Sequence, residues 1–540
     1  MTNFKRTILA LIIASAAIVS PAQGNLSALL PIPEKIECRT GEKAFDLRHA
    51  AIAMNDCEDS PYIKEELERI IEERTGIKVC SSKGKKSIEI VLSEDKSKEE
   101  YSIEIDSKHI RFTGGSEAGI FYALKTFDQL LLGDAINSSE GKVVPIHIED
   151  SPRYGYRAVM LDPARHFLPV EDVKQFIDRM ACYKYNVLQL HLTDDQGWRI
   201  EIKSHPELTG KGAFRNPKGG NNGPDNGYYT QEQIKELIDY AAQRHIEIVP
   251  ELDIPGHSAA ILAAYPELGC PFRHGDAKEI GKVTNMMLCA GSEKAYKVYE
   301  DIIREVAQLF PSKRIHLGGD EAAVKDNWAQ CEECLALMRS AGYEKPSQLM
   351  NIFFGRMLEY VRNNGKEAIL WCELDNMWPP ANDYLFPYPK DVTLVTWRNG
   401  LTPKCIELTR SNGHKLIMAP GEHTYLDYPQ WQNDLPEFNN WGMPVTTLQK
   451  AYELDPGYGL KDSEQEHIIG VMATLWAEAI KDINRVNYMF YPRGLAIAEA
   501  AWSGMEQRCW ESFKKRLYPN LYELMKQGIS FRVPFETGGK

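Results

Sequence analysis

The strongest constraint in this sequence is an alternation. Beyond Ser151–Pro152, short apolar runs give way to amphipathic stretches and return, again and again, to the C-terminal region. The strand candidates are Arg157–Leu161, Asn186–Leu192, Glu247–Leu252, Arg314–Leu317, Ala368–Trp371, Val392–Trp397, Lys415–Ala419 and Ile468–Leu475. Between them, Val173, Phe176, Ile177 and Met180 repeat at helical spacing, as do Ala295, Tyr299, Ile302, Ile303, Val306 and Leu309. Thr230 and Gln233 form a capping box ahead of Ile234, Leu237, Ile238 and Ala241. Eight strand–helix units over about 360 residues predict an α/β fold, a (β/α)8 (TIM) barrel with large loop insertions. A doubly wound open sheet is the alternative, but no G-x-G-x-x-G fingerprint supports nucleotide binding.

The chain divides into three parts by texture: a leader over 1–22, a smaller α/β unit over 23–150, and the barrel with C-terminal helices over 151–540. In the leader, Lys5 and Arg6 precede the apolar run Ile8–Val19. That run is too short to span a bilayer, and Ser20 and Ala22 suit cleavage after Ala22. The pattern predicts export, to the periplasm or the medium. In the second unit, Tyr62–Arg74 and Gly119–Leu132 read as helices, and Ser87–Leu92, Tyr101–Ile105 and His109–Thr113 as strands.

With 63 basic and 76 acidic residues, the net charge is −13 and no basic block stands out. Nucleic-acid binding and attachment to anionic membranes are disfavoured. Past the leader no apolar run is long enough to span a membrane. There are 11 cysteines. In an oxidising compartment, Cys270 and Cys289, which flank one predicted loop, are the first pair to test for a disulfide. Cys331 and Cys334 form a C-x-x-C in a helical stretch with no second pair nearby, two ligands where zinc needs four. No metal is expected.

Chemistry gathers at the strand ends, which a barrel brings to one face. In chain order they carry Asp162 and Arg165; His191, Asp194 and Asp195; Glu251, Asp253 and His257; His316, Asp320 and Glu321; Trp371; Trp397; Tyr425 and Asp427; Trp476 and Glu478. Carboxylates and Arg can make paired hydrogen bonds to vicinal hydroxyls, and indole faces cover the apolar face of a sugar ring. Asp320 and Glu321 follow two glycines, and mutual repulsion is expected to keep one protonated, as a general acid requires. As neighbours they are poorly placed to flank a sugar ring as an acid–nucleophile pair, so one is free to serve a nucleophile on the substrate. A carboxylate four residues before His257 can orient its imidazole.

The segments RAVMLDPARHF, NVLQLHLTDDQGWRIEIKSHPELT, EIVPELDIPGH and HLGGDE resemble the β-N-acetylhexosaminidases of glycoside hydrolase family 20. The likeness runs from about residue 153 to about 505, through Trp371, Trp397, Tyr425-Leu-Asp427 and Trp476-Ala-Glu478, and the preceding unit resembles that family's accessory domain. The resemblance implies a retaining, exo-acting hydrolase of N-acetylhexosamine-terminated oligosaccharides or glycoconjugates that uses no metal or cofactor. Its nucleophile would be the substrate's acetamido oxygen, giving an oxazolinium-like intermediate. On that basis Glu321 would be the acid and then the base, Asp320 would orient the acetamido group, and Tyr425 would bond its carbonyl. Trp371, Trp397 and Trp476 would wall the pocket, Arg165, Asp427 and Glu478 would hold ring hydroxyls, and His191, Asp194, Asp253 and His257 would support the acid. A disaccharide-releasing relative and a catalytically silent glycan-binding barrel are the competing readings.

Overall fold

A computed structural model describes residues 27–39, 41–54, 61–79, 86–133, 136–137, 141–214, 225–276, 285–373, 386–432, 434 and 442–535. The apolar leader lies outside them. The first unit is a six-stranded mixed sheet. Its strands are β1 (Lys35–Cys38), β2 (Ala50–Met54), β3 (Lys86–Leu92), β4 (Tyr101–Ile105), β5 (His109–Gly114) and β6 (Ile146–Asp150), in spatial order β1-β6-β4-β5-β3-β2. The helices Pro61–Thr75 and Glu117–Leu132 pack with it; Ile103, Ile110 and Phe112 from the strands and Ile120, Phe127 and Leu130 from the second helix are fully buried. Ser116 starts that helix by accepting from the Ala118 amide.

The second unit is the expected barrel. Eight parallel strands close on themselves: β7 (Tyr156–Leu161), β8 (Val187–His191), β9 (Glu247–Ile254), β10 (Arg314–Gly318), β11 (Glu367–Trp371), β12 (Thr393–Thr396), β13 (Leu416–Met418) and β14 (Ile468–Leu475). The period of two explains why these strands read as unbroken apolar runs. On β7, Ala158 and Met160 pack inside the barrel with Val187, Val249, Ile369 and Met472. Val159 and Leu161 face the other way and join the larger core shared with the helices. The helix Val170–Cys182 buries Val173, Phe176, Ile177 and Met180, the stripe seen in the sequence. Thr230 and Gln233 close the capping box of Gln231–Ala242.

The two units join through buried ion pairs. Lys184, just before β8, reaches Asp150 of β6 at 2.9 Å, with both side chains almost fully enclosed. Asp150 also accepts from the Trp502 indole at 2.9 Å. Arg157, near the start of β7, binds Glu99 at 2.8 and 3.0 Å. These anchors sit by the N-terminal ends of barrel strands, opposite the face where active sites form.

The cysteines depart from expectation. Cys331 caps the helix Glu332–Ser340, and the fold brings Cys270 and Cys289 beside it and Cys334, so that all four sulfurs lie within 4.8 Å of one another. The C-x-x-C is therefore not isolated: a second pair arrives from another loop. Among the described residues the cysteines are unbridged, Cys270 and Cys289 included.

Candidate active site

The site is built at the C-terminal ends of the strands. β7 runs into Asp162, which accepts from the amides of Arg165 and Ala477 at 3.0 and 2.9 Å and so ties the first strand end to the last. Arg165 then reaches Asp194 at 2.8 Å and Asp162 at 3.3 Å, and its guanidinium lies 4.9 Å from the Trp476 ring centre. Burial works against the Asp194 charge, yet Arg165 and His257 hold its carboxyl well below the usual range. His191 bridges Asp194 at 2.8 Å and Glu251 at 3.1 Å. Glu251 in turn accepts from Gln189 at 2.7 Å and from the Trp371 indole at 2.8 Å. These contacts form a buried ladder beneath the pocket.

Above it stands His257, whose Nδ1 lies 3.2 Å from Asp194. Its Nε2 lies 3.7 Å from Glu321 and 3.9 Å from Asp320. Burial opposes the imidazolium, but Asp194 and Asp253 raise its pKa well above the usual value.

The turn after β10 explains the two glycines. Gly318 and Gly319 take φ of +64° and +101°. A Cβ on Gly318 would sit 1.7 Å from Oδ1 of Asp253, the same atom that accepts from the Gly319 amide at 3.2 Å. Only glycine permits that approach. Glu321 itself adopts φ +45° and His257 φ +50°, a left-handed conformation that costs a non-glycine residue roughly 1 kcal/mol or more and that clusters at functional sites. The turn splits the neighbouring carboxylates. Asp320 is buried, whereas the Glu321 side chain keeps 34% of its surface exposed to the pocket.

The sequence predicts a raised carboxyl in this pair through mutual repulsion. The structure revises the cause. Asp320 is raised chiefly by burial, with the Glu321 charge adding and the His257 charge opposing. Asp253 is raised well above the usual range, again first by burial and then by Asp320.

The other predicted residues complete the cup. Trp371 is fully buried and commits its indole N–H to Glu251, so only its ring face can serve as floor; it packs 5.7 Å from Trp476. Tyr425 packs on Tyr428 at 5.3 Å and on Trp476 at 6.4 Å. Trp397 and Trp476 are half-buried, and Glu478 is exposed at the rim. The buried polar atoms here without a hydrogen-bond partner among the described residues include Oδ1 of Asp320, the Tyr425 hydroxyl, Oδ1 of Asp427, Nε1 of Trp397 and Nε2 of His257. Buried polar groups are normally satisfied, so an unsatisfied set lining one cup marks where a ligand's polar atoms belong.

One participant escaped the sequence reading. Glu373, just beyond β11, pairs with Arg398 at 2.7 and 3.0 Å and accepts from the Glu321 amide at 3.2 Å. Burial pushes its carboxyl up to about 7 despite the Arg398 charge. Its position two residues after Trp371, at a strand end, was the available signal.

A barrel mouth that joins an exposed carboxylate, a buried one, a tryptophan floor and unsatisfied polar atoms defines a glycoside hydrolase site. Comparison with known proteins sharpens this. Residues 154–505 match the glycosyl hydrolase family 20 catalytic domain, and residues 26–151 match domain 2 of the same family. A beta-hexosaminidase of Akkermansia muciniphila is 38% identical over 429 residues, covering 79% of this chain and 84% of its own. The exo-β-N-acetylglucosaminidase of Vibrio harveyi, solved with N-acetylglucosamine, superposes with a TM-score of 0.80 at 29% identity, over 95% of this chain and 79% of that one. The Streptomyces plicatus N-acetyl-β-hexosaminidase, solved with Thio-NAglucal, gives 0.78 at 30% identity, over 95% and 97%. The chain belongs to glycosyl hydrolase family 20.

Proposed function

We propose that this protein is a retaining exo-β-N-acetylhexosaminidase that releases terminal β-linked GlcNAc or GalNAc with the substrate's acetamido oxygen as nucleophile. The observation that carries the reading is the unsatisfied pair Asp320 Oδ1 and Tyr425 hydroxyl, an acceptor and a donor buried in one cup. An acetamido group offers the complement, an N–H and a carbonyl oxygen. Asp320 accepts the N–H, and Tyr425 donates to the carbonyl and turns it toward C1.

Glu321, the more exposed of the two carboxyls, protonates the glycosidic oxygen. The acetamido oxygen attacks C1 as the leaving alcohol departs, giving an oxazolinium-like ring. The Asp320 carboxylate stabilises the positive charge that develops there. Glu321, now a carboxylate, takes a proton from water. The water oxygen attacks C1, the ring opens, and the sugar leaves with retained configuration. His257 stands beside both carboxylates and is itself positioned by Asp194. Glu373 fixes the Glu321 backbone through its amide. In this reading Arg165, Asp427 and Glu478 take the ring hydroxyls, and Trp371, Trp397 and Trp476 cover the apolar face.

The test is hydrolysis of an aryl β-N-acetylglucosaminide beside the matching aryl β-glucoside. Cleavage of the N-acetyl sugar alone supports the reading; equal cleavage removes the roles given to Asp320 and Tyr425. The leader Lys5–Ala22 supports export to the periplasm or medium, and a mature N-terminus at Gln23 in the exported fraction is its check.

A further inference from the structure

Outside the catalytic cup, one cluster uses side chains that the proposed reaction never touches. Cys270, Cys289, Cys331 and Cys334 are all buried, and their four sulfurs lie within 4.8 Å of one another. Cys289 Sγ stands 3.8 Å from Cys331 Sγ and 3.4 Å from Cys334 Sγ. A zinc ion bonded to four thiolates at about 2.3 Å places neighbouring sulfurs about 3.8 Å apart along each tetrahedral edge. We propose that these four cysteines form a mononuclear structural Zn2+ site that fastens two active-site loops together.

Three observations favour a shared ion over two separate disulfides. Cys289 approaches both sulfurs of the C-x-x-C, and the group is mutual, as the corners of a tetrahedron are; pairwise bonding requires no such convergence. Cys331 is the N-cap of the nine-residue helix Glu332–Ser340. The partial positive charge of that helix end offsets part of a tetrathiolate's negative charge. The surrounding backbone is shaped for close approach: a Cβ on Gly291 would lie 2.6 Å from the Glu333 carbonyl carbon, so only glycine lets the Cys289 segment close on the C-x-x-C. An all-thiolate tetrahedron of this size selects a zinc-class ion.

The site would act at a distance on catalysis. Cys270 and Cys289 belong to the excursion that leaves β9 through His257, and the Leu288 amide donates to the Pro255 carbonyl at 3.0 Å. Cys331 and Cys334 follow the segment that leaves β10 through Glu321, and the Trp328 indole donates to the Leu288 carbonyl at 2.8 Å. An ion at the crossing would pin the loop of His257 to the loop of the acid without touching substrate.

The experiment uses the full mature chain, prepared without added metal and with any affinity tag removed. Elemental analysis is expected to find one zinc per chain, released when an organomercurial titrates four thiols. Cobalt exchanged into the site is expected to show the absorption bands of a tetrahedral thiolate. Cys331→Ser is expected to lose the metal and melt at lower temperature, while Cys509→Ser, an exposed cysteine, keeps it. If Cys331→Ser does not fold, cobalt exchange into the wild-type chain decides. A metal-free chain lighter by four hydrogens, with two disulfides among these cysteines, overturns the proposal. So does a reduced chain that takes up no zinc when the ion is supplied.

Discussion

Replacing Asp320 by asparagine separates binding from chemistry. The side chain is buried, and its unsatisfied Oδ1 is placed to accept the acetamido N–H. Asparagine keeps an oxygen there, so ground-state binding survives and KM should stay within about threefold. What disappears is the negative charge opposite the oxazolinium. Two unit charges about 4 Å apart at an effective dielectric of about 20 attract by about 4 kcal/mol, which is about a 10³-fold loss in kcat. Stability should move the other way. Burial raises the folded-state carboxyl above its usual value of 3.8, so ionising it disfavours the fold as pH rises through the raised value. The neutral variant should therefore melt at the same temperature or higher at pH 7. The assay is steady-state kinetics on an aryl N-acetylglucosaminide, with a melting curve on the same preparation. A kcat loss below about tenfold would refute the charge argument, and so would a loss appearing only in KM.

Glu321→Gln should lower the rate by about 10²–10⁴-fold on a natural disaccharide and far less on an activated aryl glycoside, which needs no acid for departure; equal loss on both substrates would contradict the acid role. Tyr425→Phe removes one donor to the acetamido carbonyl and should cost about 10²–10³-fold in kcat, read in the same assay. Glu373, raised to about 7, should place an inflection near pH 7 in the kcat/KM profile that Glu373→Gln removes. Because its folded pKa exceeds the unfolded value of 4.5, its contribution to stability should fall as pH rises from 4.5 through 7, a trend that melting curves of the variant would lack. Gly318→Ala would force a Cβ to 1.7 Å from Asp253 at φ +64°, and should lower both the melting temperature and kcat.

How much of this was legible in the sequence follows from packing. Barrel strands are buried on both faces, so each of the eight appears as an apolar run, and predicted and observed limits differ by only a residue or two. The edge strand Lys35–Cys38 escaped because it alternates between exposed and half-buried residues and carries little apolar signal. Ala50–Met54 and Ile146–Asp150 escaped as well. Strand ends converge by topology, so the grouping of Arg165, Asp320, Glu321, Trp397, Tyr425 and Asp427 could be read from the sequence. The main cause of the upward shift at Asp320 could not, because burial is a property of the assembled cup and repulsion between neighbours is only a lesser part of it. Glu373 was hidden among other acidic residues, and its meaning came only with Arg398. The four cysteines show the same limit: C-x-x-C is local, while its partners come from a loop that only the fold brings alongside.

The central claim is that the substrate's acetamido oxygen performs the first displacement. It is tested most directly by measuring kcat/KM along a series of aryl glycosides whose N-acetyl group carries none, one, two or three fluorines. Fluorine drains electron density from the carbonyl oxygen while leaving the leaving group unchanged. The account predicts a steep, monotonic fall along the series. A flat series, accompanied by a glycosyl adduct on a protein carboxylate, would contradict it.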